Sequence, residues 1–324
     1  MKILTFLHHT ELALCHCMLF AKRLDMTVYF ADCHDFMNHL GLEWSPANHA
    51  MFLPPTSSLE PCVQEALKDL KVVNIIHYDE FMDTPFDFLL LNRYELLGLC
   101  EKIRQLRPEI KYLCYSGNIG PAYPSHYDYI GVAQPAYHLH TGRKTNILLE
   151  TLPVFYTHDP LQQQDYRIVR SFPNFLVRYD FYNEILEFER RINENSFKLL
   201  IHGLEGRDGC VSFERESIAC RKMIAAIHLK KGDGYGLCVQ HIGLSGRRIL
   251  TDFNVYRNTT LWPIIEKWGT NIPSSDGKKA AIEFLSELSD FENEKERAEK
   301  QYLWCKDFFE GEKAANQIKA FLGI

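Results

Sequence analysis

The segment AIHLKKGDGYGLCVQHIGLSGRRILTD, residues 226–252, decides the fold, because a glycine-rich turn and one helix-length apolar stretch join two short apolar runs. The runs AIHL and RILTD have the composition of buried strands, and YGLCVQHIGL between them is typical of a helix. A strand, a crossover helix and a second strand build a parallel sheet. Ligands of such sheets bind at the carboxyl ends of the strands, so the turn KKGDGYG predicts a ligand site.

Strand-like and helix-like stretches alternate in two blocks along the rest of the chain. Between the blocks, residues 158–174 are polar, hold two prolines and show no sustained period, which is typical of a linker. Only helix-like stretches follow residue 252. The pattern predicts an α/β protein with two doubly wound domains, residues 1–160 and 161–324, and a cleft between them.

Composition indicates a globular protein of the cell interior. The 324 residues are 46% hydrophobic and 24% charged, and the net charge of −6 excludes binding to nucleic acid through overall positive charge. No apolar run reaches the roughly 18 residues of a membrane helix, and His8, His9 and Glu11 interrupt the N-terminal run too soon for a signal peptide. We expect a cytoplasmic protein, in the host cytoplasm if it is viral, with its ten cysteines mostly as free core thiols.

The glycine-rich turn has the features of a phosphate site. Gly232, Gly234 and Gly236 let the backbone approach a ligand closely, and the helix that follows offers unpaired N–H groups to an anion. Lys230 and Lys231 add positive charge at the same edge. The alternative is a tight turn whose glycines serve the backbone geometry alone.

Two further polar residues extend the predicted site. Asp233 lies too near the expected anion to bind it, so a sugar hydroxyl is its natural partner. His241 comes eight residues later and returns to within roughly 80° of the same helix face, where it and Asp233 can flank one ligand. Gly246 fits the C-cap of this helix.

The stretch HLKKGDGYGLCVQHIGLSGRR resembles the nucleotide-sugar half of GT-B glycosyltransferases. It is most similar to the family 1/4-like proteins of phages and metagenomes, which carry His-x-Lys-Pro-Gly-Asp-Gly-Tyr-Gly and, ten residues later, Gly-Arg-Pro. Lys231 and Arg248 replace the two prolines, and His241 stands where many relatives have a glutamate that holds the donor ribose. The matching residues are His228, Lys230, Gly232, Asp233, Gly234, Tyr235, Gly236, Gly246 and Arg247.

The resemblance implies a GT-B fold of two Rossmann-like domains and a Leloir glycosyltransferase, which moves a hexosyl or pentosyl group from a nucleotide sugar to an acceptor hydroxyl. A UDP-sugar is the expected co-substrate, and no other cofactor is expected. Transfer needs stabilisation of the diphosphate leaving group, which Lys230, the turn amides and Arg247 would supply. The implied donor-binding residues are His228, Lys230, Gly232, Gly234, Tyr235, Gly236, His241 and Arg247, with Asp233 at the reaction centre.

The sequence favours a reaction without a metal ion. It contains no Asp-x-Asp motif, so the helix dipole and the cations would replace a Mg²⁺ or Mn²⁺ clamp. Cys15 and Cys17 hint at zinc, but residues two apart on a helix point roughly 200° away from each other. We predict no metal site.

Acceptor-side residues are expected in the loops that follow the strands of the first domain. His8 or His9 can act as a base near neutral pH, and Asn118 can hold a sugar hydroxyl. Each can equally be an ordinary surface or capping residue. If the reaction retains configuration, it needs no dedicated base.

The acceptor and even the catalytic activity stay open. The phage relatives imply a hydroxymethylated pyrimidine in DNA as one acceptor, which would require a basic track and a flipped base. A surface glycan or a lipid-linked sugar is the competing acceptor. A non-catalytic nucleotide-binding module and a GT-B sugar epimerase are the alternatives to a transferase.

Overall fold

The computed structural model divides the chain into two compact units, residues 1–155 with 310–324, and residues 156–309. It describes residues 1–6, 18–43, 72–91, 94–116, 123–132, 159–172, 181–202, 207–209, 219–229, 237–257, 259–309 and 312–324.

The first unit is built on a six-stranded parallel sheet. Its strand order is β3-β2-β1-β4-β5-β6, the order of a dinucleotide-binding fold. The predicted alternation of strands and helices is confirmed here. The elements are β1 (Lys2–Phe6), a π-helical turn (Met18–Arg23), β2 (Thr27–Ala31), α1 (Cys33–His39), β3 (Val72–Ile76), α2 (Tyr78–Asp83), β4 (Phe88–Leu91), α3 (Leu97–Leu106), β5 (Lys111–Ser116) and β6 (Asp128–Val132).

Apolar cores cover both faces of this sheet. Along β1, Ile3 packs into one core with Val28, while Leu4 and Phe6 pack into the other with Phe36. Successive side chains of a strand point to opposite faces, so a strand in such a sheet can be apolar at consecutive positions. This is why FLLL is a continuous apolar run and why Ile3 and Leu4, adjacent in KILTF, are both buried.

The second unit contains a five-stranded parallel sheet of order β11-β10-β9-β7-β8. The elements are β7 (Ile168–Ser171), α4 (Tyr182–Asn193), β8 (Lys198–Ile201), β9 (Ala225–Ile227), α5 (Leu237–Leu244), β10 (Arg248–Thr251), α6 (Phe253–Tyr256), α7 (Trp262–Trp268), β11 (Gly269–Asn271), α8 (Gly277–Glu287) and α9 (Phe291–Phe308).

None of the helices in the described ranges of either unit combines the length and the apolar composition that a bilayer span needs.

Two strands of this sheet correct the sequence prediction. β7 lies inside the stretch interpreted as a linker, yet it is an interior strand that pairs with β8 and β9. Its four residues include the charged Arg170, which hides the strand from a search for apolar runs. β11 follows residue 252, where only helices were predicted, and its sequence Gly-Thr-Asn carries no apolar signal.

The last helix, α10 (Glu312–Leu322), belongs to the first unit, although the sequence placed residues 161–324 together. Ala315 and Ile318 are buried in the core that contains Leu19 and Phe20. The apolar stripe of α10 therefore completes the first sheet's cover, and this burial determines where the helix packs.

We expect Ile318→Ala to lower the free energy of unfolding by about 2–4 kcal/mol, because it removes buried methyl groups and leaves a cavity in the core. Urea unfolding followed by circular dichroism measures the loss. Asn316→Ala on the exposed face of the same helix is the control and should leave stability nearly unchanged. Equal stability of both variants would contradict the packing of α10 on this core.

Candidate functional site

The second sheet reverses its strand order between β7 and β9, which lie side by side. The chain leaves β7 toward β8 on one side and leaves β9 toward β10 on the other. Such a switch point opens a crevice at the carboxyl ends of the two strands, where doubly wound proteins bind ligands. Phe172 and His228 are the first residues after these two strands.

His228 is held firmly at this edge. Its backbone N–H donates to the carbonyl of Leu250, and its own carbonyl accepts a bond from the Thr251 hydroxyl at 2.7 Å. The ring Nδ1 lies 3.0 Å from the carbonyl oxygen of Phe172. Because a carbonyl only accepts, Nδ1 carries the proton and the neutral ring has its lone pair on Nε2. The sequence predicted His228 in the donor site, and it lies at the switch point.

The other residues of the glycine turn and the acceptor-side candidates lie outside the described residues. Their roles stay predictions. They are Lys230, Lys231, Gly232, Asp233, Gly234, Tyr235 and Gly236 in the turn, and His8, His9 and Asn118 in the first unit.

A second histidine, which the sequence did not predict, lies at the same end of the strands. His202 follows β8 directly, as His228 follows β9, and it is 6% exposed. Its Nε2 lies 2.6 Å from Nη1 of Arg170 and its Nδ1 lies 3.3 Å from the Gly209 carbonyl. Burial and the neighbouring Arg170 charge lower the pKa of His202. The repeated Ile-His step that ends LLIH and AAIH was the sequence signal for it.

His241 lies on α5 with its side chain fully buried. The residues around it on this helix, Gln240 and Ile242, are buried as well. The described contacts therefore place His241 in the interior of the second unit. Its predicted role beside Asp233 at the donor stays a prediction.

Arg247 lies at the amino ends of the strands, whereas His228 lies at their carboxyl ends. It precedes β10, whose Arg248 pairs with Ala225 of β9, so about 13 Å of strand separates it from the carboxyl edge. Its buried guanidinium donates to the backbone carbonyls of Ser245 (2.6 Å), Arg221 (2.5 Å) and Asp159 (3.2 Å). This position and these contacts oppose the predicted phosphate role of Arg247, and the proposed site does not include it.

Gly246 ends α5 as predicted. Its φ is +68°, the left-handed conformation of a helix C-cap. A Cβ atom at this position would lie 2.2 Å from the carbonyl oxygen of Ala298 on α9. Both the turn and the close approach of α9 therefore require glycine.

We expect Gly246→Ala to lower the free energy of unfolding by more than about 1 kcal/mol, since the left-handed strain and the clash with Ala298 add. Thermal unfolding measures the change. Gly98→Ala, on the exposed face of α3 with nothing within 4 Å of the added Cβ, serves as the control. A similar melting temperature for both variants would contradict the described contact.

A buried ion cluster holds α9 against this turn. Glu294, fully buried, accepts bonds from Arg248 Nη2 at 2.7 Å and Arg297 Nε at 2.7 Å. Arg297 also donates to the Gly246 carbonyl, and Gln301 donates to the Arg247 carbonyl. Burial raises the pKa of Glu294, but the bonds and charges of the two arginines outweigh it and hold the pKa below the ordinary value.

The described residues include six cysteines and no metal-binding cluster. Within the described ranges, no group of three or more His, Cys, Asp or Glu side chains is arranged to hold a metal ion. The cysteines there are free and mostly buried, as predicted. They are Cys33, Cys100, Cys114, Cys220, Cys238 and Cys305.

Solved structures share this fold along nearly their full length at low sequence identity. Anabaena HepE in complex with UDP and glucose has a TM-score of 0.60 at 11% identity, with 100% of this chain and 99% of that chain covered. Sucrose-phosphate synthase from Thermosynechococcus elongatus has a TM-score of 0.62 at 13% identity, covering 99% and 98%. A putative UDP-N-acetylglucosamine 2-epimerase from Listeria monocytogenes reaches 0.55 at 10% identity, covering 99% and 96%.

No family model and no curated protein sequence matches the chain. The structural likeness shows the fold, two doubly wound α/β domains of the GT-B class, as the sequence resemblance implied.

Proposed function

We propose that this protein is a Leloir glycosyltransferase that moves a sugar from a nucleotide sugar to an acceptor hydroxyl. One observation carries the proposal: β9, the strand that the predicted phosphate motif follows in the sequence, ends at the switch point of the second sheet. The fold predicts a ligand site at the end of β9, and the sequence motif that resembles a donor site begins at the same place. The structure of HepE with UDP and glucose supports a uridine nucleotide as the donor's leaving group.

In the proposed reaction, the bond between the anomeric carbon and the diphosphate oxygen breaks while the acceptor oxygen bonds to that carbon. Lys230 and the amides of Gly232, Gly234 and Gly236 stabilise the charge that builds on the diphosphate. Asp233 accepts a hydrogen bond from a hydroxyl of the donor. No metal ion takes part, because the cations and the helix dipole carry this stabilisation.

The other predicted residues have the following roles in the proposed site. His228 orients the donor at the switch point, and Tyr235 and His241 complete the nucleotide side. On the acceptor side, His8 takes the proton of the attacking hydroxyl in an inverting reaction, and Asn118 holds an acceptor hydroxyl. In a retaining reaction the departing diphosphate takes that proton instead.

We propose a carbohydrate acceptor, on a surface glycan or a lipid-linked sugar. The net charge of −6 disfavours the long phosphate backbone of DNA, where each contact needs a cation. A hydroxymethylated pyrimidine in DNA is the second acceptor class to be tested.

The test incubates the full chain with a panel of UDP-sugars and follows UDP release and sugar transfer by mass spectrometry. Glycan oligosaccharides, lipid-linked sugars and DNA containing hydroxymethylated pyrimidines serve as acceptors. We expect UDP release that depends on a carbohydrate acceptor. Release that depends on modified DNA would identify the other acceptor, and release of a free epimer without acceptor would indicate an epimerase. UDP binding without turnover of any donor would reduce the protein to a nucleotide-binding module.

A further inference from the structure

Three parallel strands of the second sheet end in one buried row at the carboxyl edge. His202 follows β8, Phe172 follows β7 and His228 follows β9, and each is at most 9% exposed. Backbone bonds tie the row together, since the His202 N–H donates to Ser171 and the Phe172 N–H donates to Ile227. A displacement of one residue of the row therefore shifts the backbone of the next residue through these hydrogen bonds.

Arg170 fixes the first member of this row. A guanidinium only donates, so His202 Nε2 accepts its bond at 2.6 Å, and the Gly209 carbonyl only accepts, so Nδ1 carries the proton. Both contacts require the same neutral tautomer. The direction of the His202 pKa, lowered by burial and by Arg170, agrees with this state.

The second step runs from His202 to the donor-site histidine. The rings of His202 and Phe172 stack with centroids 5.5 Å apart and planes 26° apart. The carbonyl of Phe172 then accepts the bond from His228 Nδ1 at 3.0 Å, which sets both the orientation and the tautomer of that ring. Removal of the ring support beside Phe172 should loosen this carbonyl.

We propose that Arg170 and His202 are positioning residues that act through Phe172 to hold His228 in its Nδ1–H form for the donor. We call this row of His202, Phe172 and His228, together with Arg170, which binds its first member, the positioning row. Its role in donor binding depends on the proposed function, whereas its effect on the His228 tautomer does not.

The first measurement uses the ligand-free full chain. Correlation spectra of ¹⁵N-labelled histidine rings distinguish protonated from unprotonated ring nitrogens, and His228→Gln assigns the signal. We expect one dominant Nδ1–H form of His228 in the unsubstituted protein and a mixed signal in Arg170→Met and in His202→Ala. Arg170→Lys keeps a donor and should restore the dominant form. An unchanged His228 signal in both disrupted variants would overturn the proposal.

The second measurement is UDP affinity by calorimetry, on variants whose circular dichroism matches the unsubstituted protein. We expect Arg170→Met to weaken UDP binding about tenfold, as the loss of one oriented hydrogen bond does. Arg190→Met, an exposed arginine of α4, is the control. Equal weakening in both would overturn the positioning role. If the unsubstituted protein binds no UDP, the proposed function fails, and the tautomer measurement still decides the row.

Discussion

Alanine at Lys230 is expected to lower the rate of sugar transfer about 10²–10³-fold, because charge develops on the diphosphate as the glycosidic bond breaks. Asp233→Ala should cause a loss of similar size by removing the partner of a donor hydroxyl. The kcat and KM for the donor, measured with the acceptor that the transfer screen identifies, give the loss. Lys230→Ala should lower kcat more than it raises KM, since its interaction strengthens in the transition state.

A matched control removes the same positive charge elsewhere in the second unit. Lys198 is exposed at the amino end of β8, away from the carboxyl edge. Lys198→Ala should leave kcat/KM close to that of the unsubstituted protein. Unchanged activity in both Lys230→Ala and Asp233→Ala, with the fold intact, would remove the glycine turn from the site.

Replacing Glu294 with glutamine is expected to lower the free energy of unfolding by about 3 kcal/mol, since it leaves Arg248 and Arg297 without their buried carboxylate. Urea unfolding at neutral pH measures the change. Glu296→Gln on the same helix is the control, because Glu296 is 65% exposed and pairs with Lys300, which is equally exposed. It should leave stability nearly unchanged. Equal losses in the two variants would contradict the buried cluster.

The same cluster predicts a dependence on acid. The pKa of Glu294 is lower in the folded chain than its ordinary value, so the folded state holds fewer protons there than the unfolded state. Its contribution is complete above about pH 4.3 and is lost as the pH falls through the folded pKa. The difference in stability between the unsubstituted protein and Glu294→Gln should shrink over that window. A constant difference down to pH 3 would contradict this linkage.

The sequence predicted the elements that bury long apolar runs and missed those whose role depends on distant partners. FLLL and KILTF read correctly as strands because both faces of their sheet are covered. β7 escaped because it contains a charged residue, Arg170, whose hydrogen-bond partner His202 lies 32 positions away in the sequence. α10 was found as a helix, but its placement on the first unit depends on Leu19 and Phe20 at the other end of the chain.

In the candidate site too, residues with a local sequence signal were predicted, and residues whose role depends on distant partners were not. The stretch 230–236 was predicted as a phosphate site because glycines and lysine next to a helix have a local meaning in the sequence; it lies outside the described residues and stays a prediction. Arg247 also matched the motif, yet its carbonyl contacts to Asp159 and Arg221 come from segments that no local pattern connects to it. His202 had only the repeated Ile-His step as a signal, and the parallel pairing of β7 and β8 brings it beside Phe172.

The return of α10 to the first unit has a consequence for biosynthesis. Residues 156–309 form a continuous stretch of chain, whereas the first unit is closed by residues 310–324. A ribosome therefore releases every segment of the second unit before the core around Phe20 receives its final cover. The apolar surface of the first unit that α10 covers therefore stays exposed until α10 has been synthesised. We expect chaperones to bind a nascent chain that is arrested near residue 309, because this surface is still exposed in it.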